Sequence, residues 1–431
     1  MGLALVRWSP ASIGFARHAL ALGGGNALAQ IIVLGLSPVI AYLYTPAAFG
    51  LFAAYTAILY LLSVAATGQY ESTLMLPRRD RHAGCLLLFV MILCPTVALG
   101  LGVVLVVLRE PLAGLLGAPR LALWFWVLPV SIVMVGWYQA LRYWTMRREA
   151  FSDVARNAVT RAAVGTGLAC AMGVWQPFPQ APEGGLILSH ILGEGVGNLL
   201  LASRIYYRDR GIVAWPGWLR LLATARRWRR LALSLAAGSG VARCYDNLPV
   251  LAINFLFGPA AAGLYAWAER FTLLPAQLVA TAIGDVYRQR ATVEYHRHGQ
   301  FDGLMRQTFT ATTLIALLPY AIGIALAPTL FGWIFGPEWR EAGVLAQILM
   351  VGGFFSFATV PVDKAAIIFQ RTRFILCWHI ARLGLKLAAV AATALFSLSL
   401  TTLLWLIVLV RILLYGVDLV YNYQLSKGAR P

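Results

Sequence analysis

The sequence predicts an all-α integral membrane protein of about twelve transmembrane helices in two pseudo-symmetric six-helix lobes, and three observations carry that expectation. First, 60% of the 431 residues are hydrophobic and only 12% charged, with a mean hydropathy of +0.73. A soluble domain holds about 25% charged residues, so a soluble fold is excluded. Second, the apolar residues come in continuous runs of about twenty, twice the length of the roughly ten-residue alternating strands of a membrane β-barrel. Third, the formal charge of +18 is gathered into short blocks between the runs. That pattern suits membrane orientation better than a nucleic-acid surface.

In chain order the candidate spans are 19–44, 48–70, 83–108, 121–145, 157–175, 185–207, 231–257, 261–285, 305–331, 342–363, 374–397 and 400–423. The first follows Arg17 with no small-residue cleavage pattern after it, as expected of a retained signal-anchor. Arg7 and Arg17 precede the first span; Arg78, Arg79 and Arg81 follow the second; Arg147, Arg148 and Arg156 follow the fourth. The block from Arg208 to Arg230 follows the sixth, then come Arg288, Arg290 and Arg297, Arg371 and Arg373, and finally Lys427 and Arg430. The alternate connections hold only Arg109, Arg120 and Arg340. A split of about twenty-two to about three places both termini in the cytoplasm, because cytoplasmic loops carry the Lys and Arg excess.

An internal repeat divides the chain. Leu43-Tyr-Thr-Pro46-Ala-Ala-Phe-Gly50-Leu-Phe recurs as Leu256-Phe-Gly-Pro259-Ala-Ala-Ala-Gly263-Leu-Tyr, each copy joining the first and second spans of its half. The expected organisation is an N-terminal six-helix lobe (1–207), a basic amphipathic cytoplasmic linker (208–230) with Trp215, Trp218 and Trp228 at headgroup level, and a C-terminal six-helix lobe (231–431). Six being even, the two lobes enter the bilayer in the same direction.

Polar residues inside the spans carry the functional signal, since each ionised group at bilayer depth costs on the order of 3 kcal/mol by insertion scales. Ser239, Arg243, Asp246, Asn247 and Asn254 share one face of the seventh span; His379, Arg382, Lys386 and Thr393 one face of the eleventh; Arg411, Tyr415, Asp418 and Asn422 one face of the twelfth. His190, Glu194 and Asn198 stripe the sixth, Asn26, Gln30 and Ser37 the first, and Thr56, Tyr60, Ser63 and Thr67 the second. Hydroxyl and amide stripes often only join helices. Arg382 and Lys386 are different: with no acid in their own span they call for water and an anionic guest. Arg243 with Asp246, and Glu269 beside Arg270, are open to reading as internal ion pairs or as functional groups. Asp246, Glu194, Glu269 and Asp418 are the candidate ion-coupling residues, because desolvation raises a carboxyl pKa toward neutrality.

Other chemistries find no seat. Cys85, Cys94, Cys170, Cys244 and Cys377 lie in apolar segments without paired spacing and read as core residues, so neither disulfide nor metal is expected. Gly193-Glu-Gly-Val-Gly197 lies mid-span and lacks the Lys-Ser/Thr ending of a phosphate loop, which makes it a close-packing face. No Walker sequence, HExxH, CxxC or nucleophile elbow occurs, and no cofactor is expected.

Several patches carry a family likeness: Leu43–Phe52, Gln69-Tyr-Glu71-Ser-Thr-Leu-Met-Leu-Pro77, Arg147-Arg-Glu-Ala-Phe151, Asp246-Asn-Leu-Pro before Gly263-Leu-Tyr-Ala-Trp-Ala-Glu-Arg270, and Phe335-Gly-Pro-Glu-Trp339-Arg-Glu-Ala-Gly343. In order and spacing they resemble the polysaccharide-transport branch, the Wzx-type oligosaccharide flippases, of the multidrug/oligosaccharidyl-lipid/polysaccharide (MOP) flippase superfamily. The resemblance implies two lobes forming a V around a central cavity. It also implies ion-coupled alternating access and a cationic lumen for the pyrophosphate of an undecaprenyl-linked oligosaccharide. Arg243, Arg270, Arg382, Lys386 and Arg411 would supply the cations, and Asn26, Gln30, Asn247 and Asn254 the polar lumen. The lipid II flippase branch has fourteen helices, against about twelve here. The implied setting is the bacterial inner membrane, in O-antigen or exopolysaccharide synthesis, with a polymerase and a chain-length regulator as partners. The alternatives are a multidrug antiporter of the same superfamily, whose drug site would be acidic, and a membrane polymerase or ligase, whose catalytic outer loop would exceed the short connections found here.

Overall fold

Continuous apolar runs have no polar backbone partner in a bilayer other than their own, so helices are the outcome, and among the described residues no strand occurs. A computed structural model describes residues 10–275, 279–363, 365, 369 and 372–428, with side chains from residue 23 onward except at 274, 275, 281, 372–377 and 379. Arg7, Arg371 and Arg430, and the side chains of Arg17, Arg373, Cys377 and His379, lie outside the described residues. The helices are α1 (Pro10–Leu43), α2 (Pro46–Thr67), α3 (Asp80–Val107), α4 (Arg109–Leu115), α5 (Leu128–Arg147), α6 (Phe151–Trp175) and α7 (Glu183–Asp209). They continue with α8 (Trp218–Pro275), α9 (Thr281–His298), α10 (Asp302–Phe335), α11 (Arg340–Thr359), α12 (Thr372–Leu395) and α13 (Leu400–Ser426).

Each of the twelve apolar runs falls on a helix. Nine helices among the described residues are long and apolar enough to cross a membrane. α8, at 58 residues, holds both the seventh run and most of the eighth. The break between them is Gly258, at φ 85 and ψ 174, a backbone state that only glycine enters without strain. α5, which carries Gln139 and Arg142, and α12, which carries Arg382 and Lys386, account for the other two runs. The later half of the basic linker forms the opening turns of α8, with Leu221 and Ala225 buried while Trp218, Leu219 and Leu222 stay exposed, as does Trp215 before the helix.

The chain divides into two compact units, one of Met1–Tyr44, Ile58–Ala113 and Arg120–Gly240, the other of Thr45–Ala57, Gly114–Pro119 and Val241–Pro431. In the first, α1 packs on α6, α6 on α7, α3 on α5 and α5 on α7. α6 and α7 approach at glycine: a methyl on Gly193 would press on the Gly165 backbone, and Gly197 leaves room for the stem of Arg161. The glycine face read from the sequence is therefore a packing face.

Polar knots hold the arginine-rich end of this unit. Arg147 donates to Asp80 (2.8 Å) and to the carbonyls of Leu74 and Pro77, while Arg148 bridges Asp80 (2.9 Å) and Asp209 (3.1 Å). The Trp144 indole N–H also donates to Asp209, at 3.0 Å. Each acid thus serves several donors, a multiply satisfied arrangement that outweighs an isolated surface pair.

In the second unit α10 packs on α11, α11 on α13 and α12 on α13. Trp267 and Trp339 lie 4.6 Å apart, with Phe49 edge-on to Trp267 at 4.6 Å and Phe335 at 5.4 Å. The two copies of the internal repeat meet here. Gly50 faces Pro259 and Gly263 faces Pro46 so closely that a methyl at either glycine would overlap the opposing proline carbonyl.

Candidate functional site

The second unit gathers charge where apolar spans should have none. α12 places Lys386 and Arg382 one turn apart on one face, and α13 sets Arg411 among the same neighbours. Lys386 is 3% exposed; its Nζ lies 3.5 Å from the centre of the Tyr245 ring and donates to the Tyr245 carbonyl at 2.7 Å. The Arg382 guanidinium sits over Tyr245 at 5.0 Å and Tyr415 at 5.5 Å, and its Nε is buried with no hydrogen-bond partner among the described residues. Arg411 is buried, and Gly352 opposite it lacks the side chain that would crowd its stem.

Tyrosines thus line Lys386 and Arg382. Among the described residues, Arg382, Lys386 and Arg411 make no ion pair within 4 Å. Acids stand further off: Glu269 and Asp246 attract Lys386, Asp418 attracts Arg382, and Glu269 attracts Arg411. Glu269 itself accepts the Tyr265 hydroxyl at 2.7 Å. An aromatic face attracts a cation without supplying a counter-charge.

The structure sorts the remaining sequence-predicted residues. Arg270 is half-buried with its guanidinium 5.9 Å from the Trp267 ring, at the limit of a cation–π contact. Arg243 and Asp246 are exposed on α8, and the Asn247 amide donates back to the Arg243 carbonyl at 2.9 Å. Asn254 is fully buried and donates to the Leu116 carbonyl just past α4 at 2.6 Å, a bond that fixes packing rather than facing an open space. Asn26, exposed, and Gln30, half-buried, sit on α1 in the first unit.

Glu194, also in the first unit, belongs to a second constellation. It accepts from Arg161 at 2.6 Å, and Arg161 lies 3.7 Å over the Tyr138 ring. The Tyr60 hydroxyl and His190 Nε2 are 3.3 Å apart, with His190 Nε2 4.0 Å from Glu194. Sequence reasoning passed over Arg161, Tyr138 and Tyr245. Arg161 was legible as a cation inside a span lacking an inward acid; the tyrosines give no signal until the helices pack.

This is a multi-pass, all-helical membrane protein with buried charge in its interior, a fold that solved transporters share. The lipid II flippase MurJ in an inward closed conformation superposes with a TM-score of 0.71 at 12% identity, covering 95% of this chain and 90% of that one. A MOP superfamily transporter from Pyrococcus furiosus Vc1 gives 0.60 at 15% identity, covering 96% of each chain. An inward-facing multidrug resistance MATE transporter of the MOP superfamily gives 0.55 at 13%, covering 96% and 97%. The chain belongs to a family described as polysaccharide biosynthesis proteins, whose model matches residues 39–344. It is similar to the succinoglycan biosynthesis transport protein ExoT of Rhizobium meliloti (strain 1021), 24% identical over 412 residues, covering 91% of this chain and 78% of that protein. The likeness to these solved transporters is one of fold, and the family is one of polysaccharide biosynthesis.

Proposed function

We propose that this chain translocates an undecaprenyl-pyrophosphate-linked oligosaccharide across the bacterial inner membrane for polysaccharide synthesis, with Arg382, Lys386 and Arg411 receiving the pyrophosphate. One observation carries the reading: of three cations on adjoining helices, two of them buried, Lys386 and Arg382 lie over tyrosine rings and Lys386 donates to a carbonyl, and none of the three has a carboxylate within 4 Å among the described residues. A buried ion without a close counter-ion costs several kcal/mol, and an anionic guest offsets that cost. Arg270 and Arg243 extend the positive field, so the five named cations outnumber the three acids Asp246, Glu269 and Asp418. The acids are the ion-coupling candidates of this unit; Glu194 is that of the other, with its charge balanced by Arg161. The Lys and Arg alternation supports cytoplasmic termini. A polymerase and a chain-length regulator are the partners such a flippase would feed.

The test is accumulation of lipid-linked repeat units on the inner leaflet of a strain lacking the protein. Complementation with wild type should clear them. Arg382→Ala and Lys386→Ala should each leave them in place, while Lys386→Arg, which keeps the charge, should restore at least part of the flux. Full clearance by both alanine variants would remove Arg382 and Lys386 from the pyrophosphate site, and no accumulation in the strain lacking the protein would defeat the flippase reading and favour a cation antiporter.

A further inference from the structure

Away from the cationic cluster, α9 and the start of α10 enclose an open groove of about 500 Å³, within the size range of small-ligand sites. Ile283 and Val286 of α9 and Leu304 and Ile315 of α10 form apolar walls, while Tyr287, Arg290 and Gln307 add polar groups. From Leu304 to Ile315 is eleven residues, or about 16 Å of helix at 1.5 Å per residue. α10 is a spanning helix that begins at Asp302, so the groove occupies its first turns, where headgroups give way to chains.

Two features say what should fill it. Tyr287 is 2% exposed, and its hydroxyl has no hydrogen-bond partner among the described residues, an orphan a ligand oxygen would satisfy. Arg290 makes no ion pair among the described residues, although the nearby acids of its helix do: Asp285 with Arg288 at 3.9 Å and Glu294 with His298 at 3.1 Å. We propose that this groove binds one anionic glycerophospholipid of the surrounding bilayer, an acyl chain lying along Ile283, Val286 and Ile315 and the phosphate meeting Arg290 and Gln307. A zwitterionic lipid carries no net charge for Arg290 to attract. A second copy of the chain would bring its own Arg288, Arg290 and Arg297 against these, which repel.

The full-length protein, purified in neutral detergent, should retain one phosphatidylglycerol per chain by native mass spectrometry, in preference to phosphatidylcholine. Arg290→Glu and the groove-filling Val286→Trp should each weaken phosphatidylglycerol retention about tenfold or more, with Arg297→Glu, on the same helix outside the groove, changing it less than about twofold. Lipid-free melting curves establish that each variant is folded, and Ala311→Trp replaces Val286→Trp if that chain does not fold. The proposal fails if both groove variants retain the lipid as wild type does, if Arg297→Glu loses as much, or if phosphatidylcholine binds equally. It fails too if inorganic phosphate displaces the lipid, if only undecaprenyl phosphate is retained, or if the variants alter protomer number instead.

Discussion

Glu71 shows how a single side chain can couple folding to pH. It lies in the short turn Tyr70–Met75 after α2, 3% exposed, accepting the Thr67 hydroxyl at 3.1 Å through one oxygen while the other has no hydrogen-bond partner among the described residues. Burial pushes its pKa up from 4.5 to about 7. The folded protein therefore holds this proton more tightly than the unfolded chain does. The associated stability is complete below about pH 4.5 and is lost as pH rises through about 7, a difference of about 3 kcal/mol. Melting temperature in detergent should fall between pH 5 and pH 8 for wild type and change much less for Glu71→Gln, the two converging at the acid end; parallel curves would mean another group titrates. At this scale the sequence exposed the cations well, because Arg382, Lys386 and Arg411 interrupt apolar runs. It could not reveal that tyrosines, one of them from α8, would be the groups beneath Arg382 and Lys386, since a tyrosine in a span is unremarkable until something stacks on it.

Among elements, the internal repeat proved to be a contact as well as a symmetry. The first turns of α2 and the stretch of α8 after Gly258 cross where Gly50 and Gly263 face the opposing prolines, each glycine making way for the other copy's carbonyl. Side chains there must displace backbone, not flexible tips, and overpacking of that kind costs about 1–3 kcal/mol. Gly50→Val and Gly263→Val should each lower the melting temperature of the purified protein and cut repeat-unit clearance in cells. Ala47→Val, on the same helix, serves as the control; if it matches them, β-branching in α2, and not the crossing, is responsible. Repetition was readable as a string, whereas the pairing of its two copies depends on three-dimensional approach. The Arg147-Arg-Glu-Ala-Phe151 patch behaves similarly: its arginines look like orientation signals, yet they tie α5 to Asp80 at the start of α3 and to Asp209 at the end of α7.

For the molecule as a whole, the alternation of Lys and Arg predicts a topology that labelling can check. Cysteines introduced in a cysteine-free background at Arg120, between α4 and α5, should react in intact cells with a membrane-impermeant maleimide, whereas those at Arg210 and Lys427 should react only after lysis. The reverse pattern would invert the orientation. The all-helical membrane class, the twelve apolar runs and the positions of the charges that interrupt them are legible in the sequence alone. Those follow from hydrophobic transfer and backbone hydrogen bonding, which act along the chain and leave their period in it. What emerges only when the helices pack is that Lys386 and Arg382 lie over tyrosine rings, that Glu194 is matched by Arg161, and that the linker runs on into α8. These depend on which faces of distant helices meet, and packing among apolar surfaces of nearly equal energy in lipid leaves little trace in local composition.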